Sequence, residues 1–248
     1  MAQHAPPPRE PLRVLGLQIE QQGDKAKNLA KAWEKVQANP GFDIYVLPEL
    51  SATGYTDDVL RQNRALAERA GGETCKSYQA LADEAGAVIC FGFLRRCGIT
   101  GQVHICQAVA APVSVYGPFD PVRVGGNYDK MHLCDMGDCS EAGQGLTRGM
   151  TPRVFSCKGH MIGLAICYDL RFPELWRYYR DLGCDLVLHP SAFSRDATFP
   201  GYHPFVTTRA IENGFYVLSV NFAGERFGAS IAAPPWLFTT SLTLSSSG

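Results

Sequence analysis

Met161-Ile-Gly-Leu-Ala-Ile-Cys-Tyr-Asp-Leu-Arg-Phe-Pro-Glu174 decides the reading of this chain. The apolar segment Met161–Ile166 is too short for a helix and reads as a buried strand. It delivers Cys167 at its C-terminal end. Pro173 stands where a helix favours a first residue, because the N–H that proline lacks has no partner there anyway. Leu175–Leu182 then reads as a short helix closed by Gly183. The unit is strand, elbow, helix, with a thiol at the bend. A helix N-terminus beside a thiol favours the thiolate, so the placement predicts a lowered pKa at Cys167. The same position also suits a buried structural cysteine, the commoner fate of a free thiol.

Short strands and helices alternate outward from this unit. Apolar runs at Leu12–Ile19, Asp43–Leu47, Val88–Leu94, His104–Val115, Asp185–His189, Phe215–Asn221 and Gly228–Ala233 read as strands, with shorter or looser ones at Asn127–Leu133 and Arg153–Ser156. Asp24 is placed to cap a helix running to about Ala38, with Leu29, Trp33 and Val36 on one face. Asp57–Ala70, the stretch around Tyr78–Ala85 and Tyr202–Asn213 also read as helices, and Gly117–Pro121 as a turn. The class is α/β, with one domain over residues 12–248. The polar, Pro-rich residues 1–11 read as a disordered leader.

Composition excludes several functions. The 248 residues are 46% hydrophobic and carry a formal net charge of -1 without a basic stripe, which argues against a nucleic-acid partner. No apolar run approaches the ~18 residues of a membrane span. The nine cysteines form no Cys-x-x-Cys, and Cys134 and Cys139 are followed by no paired histidines, so no zinc or other metal site is expected. Free thiols in this number suit a reducing interior, hence a cytoplasmic protein.

Three reactive groups lie in or just after apolar runs: Glu49 in Pro48-Glu49-Leu50, Lys130 and Cys167. Alone, Glu49 reads as a loop or capping acid and Lys130 as a surface lysine on an edge strand. Together they fit one chemistry. A cysteine nucleophile needs a base, a carboxylate raised toward neutrality by burial can be that base, and an ammonium can stabilise an oxyanion. The Tyr168 N–H, directly after the thiol, is a natural second donor.

Pro48-Glu49-Leu50, Tyr128-Asp129-Lys130-Met131-His132-Leu133 and Ile166–Glu174 resemble, in order and spacing, the three signature blocks of the nitrilase superfamily of carbon–nitrogen hydrolases. His189-Pro190-Ser191-Ala192 and Thr208–Asn213 are similar too, and the resemblance spans roughly Leu12 to Pro235. It implies a four-layer αββα sandwich. It also implies Glu49 as general base, Cys167 as nucleophile, Lys130 as oxyanion donor and Glu141 as the second glutamate that holds the lysine. No cofactor or metal is implied. Tyr168 after the nucleophile resembles the amidase branch that acts on small ω-amides of dicarboxylates or on deaminated glutathione. Tyr55, Tyr168, Arg171, Phe193 and Ser194 are the candidate substrate-binding residues, with Arg171 available to a substrate carboxylate or to a structural role. The expected partners are a small-molecule amide and a second copy of the chain, in a homodimer or larger homo-oligomer, with neither nucleic acid nor membrane. Leu237–Gly248 departs from the pattern and reads as a shortened or altered C-terminal end. The alternatives are a true nitrilase, an N-carbamoyl hydrolase or a catalytically silent scaffold; a thiol redox protein fits less well without Cys-x-x-Cys.

Overall fold

The computed structural model describes residues 9–112, 126–136, 139–194, 199–224 and 241–244. Strand β1 (Leu12–Gly16) opens the chain, and the Asp24 side chain accepts the Lys27 N–H at 2.8 Å to start α1 (Lys25–Gln37), as the sequence predicts. The inner face of α1 is rotated from the expected one. Asn28, Ala32 and Val36 are buried, while Leu29 and Trp33 pack at the flank. A polar residue faces inward because Asn28 is satisfied there: it accepts the Gln22 N–H at 2.7 Å and donates to the Ala52 carbonyl at 3.3 Å.

Strand β2 (Ile44–Val46) follows. The single helix expected over Asp57–Ala70 is two short ones, α2 (Asp57–Arg61) and α3 (Asn63–Leu66). The buried Asn63 amide donates to Leu60 O and Gln144 O, which ties the break in place. Then come α4 (Glu73–Ala85), β3 (Val88–Arg96), β4 (Val103–Ala110) and β5 (Asn127–Asp129). Strand β5 is shorter than expected, so Lys130 stands just past its end rather than in its middle. A small hairpin pairs β6 (Asp135–Met136) with β7 (Cys139–Ser140). The second half contains β8 (Val154–Cys157), β9 (His160–Leu164), a 3₁₀ turn at Cys167–Arg171, α5 (Pro173–Asp181), β10 (Leu186–Pro190), α6 (Tyr202–Asn213), β11 (Tyr216–Val220) and β12 (Ser241–Leu244).

Two larger sheets result. The first has the order β12-β1-β2-β3-β4-β5, with β1, β2 and β3 parallel and the other three antiparallel to their neighbours. The second has the order β11-β10-β9-β8, parallel except at β8. Helices α1 and α4 pack together beside the first sheet, and α5 and α6 beside the second. The Ala223 N–H donates to Ile19 O at 2.9 Å, fastening the end of β11 to the chain leaving β1. This is the αββα sandwich expected from the sequence. Among the described residues no helix is long and apolar enough to cross a membrane.

Of the leader, residues 1–8 lie outside the described residues. Arg9 pairs with Asp185 at 2.8 Å, and the Glu10 N–H donates to Lys158 O at 3.1 Å. The turn at Gly117–Pro121, the strand at Gly228–Ala233 and most of the C-terminal end also lie outside the described residues.

Two glycines place the site through close backbone approach. The turn after β2 docks on Gly92 of β3: the Ala52 N–H donates to Gly92 O at 3.0 Å, and the Gly92 N–H donates to Ser51 Oγ at 3.0 Å. A Cβ on Gly92 would overlap the Leu50 backbone nitrogen. Gly149 likewise lies against the Asp129 carbonyl, and its N–H donates to Lys130 O at 2.7 Å. Gly92→Ala therefore has no side chain to displace and must move the backbone beside Glu49. The expected result in urea unfolding is a loss of about 2–3 kcal/mol, with activity falling further than the unfolded fraction explains.

Candidate active site

Glu49, Lys130, Glu141 and Cys167 converge from distant parts of the chain and are all buried. Glu49 follows β2 on the turn that Gly92 receives. Leu50, next to it, has φ 49, and Cys167 has φ 43. Left-handed backbone at a side-chain-bearing residue costs roughly 1–2 kcal/mol; of the three such residues among those described, these two sit at or beside reactive groups and the third, Lys158, lies in the turn between β8 and β9. Lys130 is aimed by its predecessor: Asp129 is held bidentately by Arg95 of β3, at 2.7 and 2.5 Å. Cys167 stands at the first position of the 3₁₀ turn, at the elbow read from the sequence.

Lys130 Nζ donates to Glu49 Oε1 at 2.8 Å and to Glu141 Oε1 at 2.7 Å. An ammonium has three protons, so one remains for a third acceptor. Glu49 Oε2 accepts the Ala192 N–H at 2.9 Å. Glu141 Oε2 accepts the Cys134 N–H at 2.7 Å, and Oε1 accepts the Tyr55 hydroxyl at 2.6 Å.

Burial governs the electrostatics. It raises the Glu49 pKa above the ordinary carboxylate value, with Lys130 opposing and Glu141 reinforcing. Burial disfavours the Lys130 charge, but Glu141 and Glu49 together outweigh it and hold the ammonium well above its usual pKa. The Cys167 thiol is pushed well up by burial and by the Glu49 charge. This corrects the expectation of a lowered thiol pKa: the elbow supplies a short 3₁₀ turn, and desolvation outweighs its dipole. Cys167 is a thiol beside a base, not a standing thiolate.

Two residues that the sequence reading passed over hold the elbow. Asp169, fully buried, accepts the Ile166 N–H at 2.8 Å and the Tyr128 hydroxyl at 2.7 Å. It also accepts the backbone and ring Nδ1 N–H groups of His132, at 3.0 and 2.7 Å. His189 Nε2–H donates to the Cys167 carbonyl at 2.9 Å, which leaves Nδ1 to accept from Ser219 at 2.7 Å. Burial holds this histidine neutral by bringing its pKa down to about 4. The signal for it was a histidine inside the otherwise apolar strand run Leu186–Pro190; nothing in the sequence announced its partner.

The proposed substrate-binding residues divide. Tyr55 is committed to Glu141, with Cys139 Sγ 3.4 Å from its hydroxyl. The Arg171 guanidinium lies over the rings of Tyr168, Phe193 and Phe205 at 5.5, 5.9 and 5.3 Å, and its buried Nε has no hydrogen-bond partner. Phe193 is fixed by Asn221, which accepts its N–H and donates to its carbonyl, both at 2.9 Å. Ser194 is half-buried beside it. A groove of about 450 Å³, lined by Met131, His132, Leu146, Arg148 and Phe172 among others, runs alongside and includes none of the four converging groups. Among the described residues no group of three or more His, Cys, Asp or Glu is placed to hold a metal ion.

The carbon–nitrogen hydrolase family model matches residues 13–242. Deaminated glutathione amidase of Bos taurus is 27% identical over 236 residues, covering 88% of this chain and 69% of its own length. Omega-amidase NIT2-A of Xenopus laevis is 26% identical over 224 residues, covering 86% and 77%. The crystal structure of Saccharomyces cerevisiae Nit3, a member of branch 10 of the nitrilase superfamily, superposes with a TM-score of 0.70 at 21% identity, covering 86% of this chain and 76% of that one.

Two measurements check the site. With its pKa raised, Cys167 should alkylate with iodoacetamide ever faster as pH climbs above neutral, without a plateau near pH 7, when labelling is resolved by peptide mass. His189→Leu leaves the Cys167 carbonyl buried without its donor and should lower stability to urea by about 1–3 kcal/mol.

Proposed function

The chain belongs to the carbon–nitrogen hydrolase family, and we propose that it is a cysteine amidase releasing ammonia from a small amide that carries a carboxylate. One observation carries the reading: a buried ammonium clamped between two carboxylates, one of which, Glu49, raises by its charge the buried thiol at a strained elbow. The relatives named as amidases of deaminated glutathione and of omega-amides support it.

In the proposed mechanism the Cys167 sulfur attacks the amide carbon as Glu49 takes the thiol proton. The new oxyanion receives the third Lys130 N–H and the Tyr168 N–H, which lies in the first turn of the 3₁₀ segment where no intrahelical acceptor exists. Glu49 passes its proton to the nitrogen, the C–N bond breaks, and ammonia leaves a thioester on Cys167. Water attacks the thioester with Glu49 again as base, the carboxylic acid departs, and Glu49 returns a proton to the sulfur. Glu141 anchors Lys130 throughout, and Ala192 fixes the orientation of Glu49. Arg171, flanked by Tyr168 and Phe193, is the proposed partner of the substrate carboxylate.

The proposal extends to assembly and location. Tyr178 and Leu182 at the end of α5 and Ile211 on α6 are exposed, 47%, 43% and 76%, on two helices that pack side by side. These faces support a homodimer formed through the helices near the nucleophile. All nine cysteines are unbridged, which supports a cytoplasmic setting.

Ammonia release from α-ketoglutaramate, succinamate and deaminated glutathione, with matched nitriles alongside, tests the activity. Turnover of an amide that disappears in Cys167→Ala is the expected result; turnover of nitriles alone, or activity surviving in Cys167→Ala, sinks the proposal. Glu49→Gln should cost about 10²–10⁴-fold. Glu49 must be ionised to accept the thiol proton and its pKa is raised, so kcat/KM should fall on acidification through a pH above 4.5, the ordinary glutamate value. Arg171→Leu should raise KM for carboxylate-bearing amides while sparing kcat for an uncharged one.

A further inference from the structure

Cys134 and Cys139 are not used by the chemistry above, yet they flank Glu141. In the β6–β7 hairpin, Asp135 faces Ser140 and Met136 faces Cys139. Next along the ladder, the Glu141 N–H donates to Cys134 O at 3.0 Å. The Cys139 thiol lies 3.6 Å from the Cys134 carbonyl oxygen and 3.4 Å from the Tyr55 hydroxyl. Both cysteines are half-buried, so a small oxidant reaches two residues of which one already sets its sulfur against the other's main chain.

We propose that Cys139 is a peroxide-sensitive modification site with Cys134 as its resolving thiol, and that oxidation closes a Cys134–Cys139 disulfide beside Glu141. The two sulfurs are unequal in a way that suits these roles. The Cys134 side chain, against the effect of burial, brings the Cys139 thiol down to about 7, while Cys134 itself is pushed up. Cys90, Cys106 and Cys167 are buried and raised, and the half-buried Cys97, though low, has no thiol beside it among the interactions that lower it.

The Cys139 thiolate attacks one peroxide oxygen. The S–O bond forms, the O–O bond breaks, and hydroxide leaves, taking up a proton to become water. Cys134, losing its proton, attacks the sulfenic sulfur. The S–S bond forms, the S–O bond breaks, and a second water leaves. Two thiols and one hydrogen peroxide give one disulfide and two waters; the sulfurs lose two electrons and the peroxide gains them.

The consequence for turnover rests on the amidase reading. Cys134 gives its main-chain N–H to Glu141 Oε2, and Cys139 touches the Tyr55 hydroxyl that donates to Oε1. Drawing the sulfurs together shifts both supports of the carboxylate that anchors Lys130.

The test begins with Cys167→Ala, which removes the nucleophile's own oxidation. After hydrogen peroxide, iodoacetamide blocking and digestion, the expected product is a Cys134–Cys139 cross-link that dithiothreitol reverses, while the buried cysteines stay alkylatable once unfolded. In the Cys134→Ser variant of that protein, dimedone should trap Cys139 as the sulfenic acid. Cys134 and Cys139 both remaining free, or pairing with other cysteines, overturns the proposal. This readout needs no turnover, so it stands apart from the fate of the amidase reading. On the active protein, peroxide should remove ammonia release several-fold faster than in Cys139→Ser, each normalised to its own untreated rate, and dithiothreitol should restore it. A cross-link that forms with turnover unchanged overturns the coupling to Glu141.

Discussion

A single ammonium between two carboxylates, sealed from water, is the interaction on which the rest of this structure depends. Lys130, Glu49 and Glu141 are each essentially inaccessible. Removing ions from water costs several kcal/mol per ion, and only close pairing and complete hydrogen bonding offset it. The site meets that demand from the backbone. Ala192 and Cys134 supply N–H groups to the outer carboxylate oxygens, and Tyr55 adds a hydroxyl. The charge count is one positive against two negative groups, so the cluster sits near the point of accepting a proton. Glu49, whose affinity for a proton burial has raised, is where it goes. The same desolvation that makes the cluster expensive makes Glu49 a competent base.

The sequence was informative about identity and poor about geometry. Three blocks around Glu49, Lys130 and Cys167 were legible because reactive residues at the ends of apolar runs are rare. Most of the strands were legible as short apolar runs; β6, β7 and β12 were not, and β12 pairs with β1 from within the segment read as an altered C-terminal end. The reading of the thiol went wrong for a physical reason: it counted the helix dipole, a local property, and had no access to burial, a global one. The rotation of α1 was missed because Asn28 looks like a surface residue until its partners, Gln22 and Ala52, are known. Asp169 and His189 act by hydrogen bonds to main-chain atoms of other segments, and periodicity carries no trace of such bonds. Tyr55, read as a substrate-binding residue, is tied through its hydroxyl to Glu141.

Strain and support are matched across the site. Leu50 and Cys167 occupy backbone conformations that few side-chain-bearing residues tolerate, and each is braced. The turn carrying Leu50 is laced to Gly92 through Ser51 and Ala52, where only a glycine leaves room. The Cys167 elbow is held on one side by the Asp169 carboxylate at Ile166 and on the other by the neutral His189 at its own carbonyl. Rigidity is therefore concentrated where a nucleophile and a base must keep a fixed separation.

Glu49 and Lys130 come from the six-stranded sheet, whereas Cys167 and the Ala192 N–H come from the four-stranded one. The bond from Ala192 to Glu49 closes a loop of 143 positions. Neither half of the sandwich holds the nucleophile and its base together, and the Glu49 carboxylate lacks its Ala192 N–H until the halves meet. Assembly of the chemistry therefore requires contacts of high sequence separation. A partly folded chain has no assembled centre, and regain of the centre during refolding reports the mating of the two sheets rather than the formation of either.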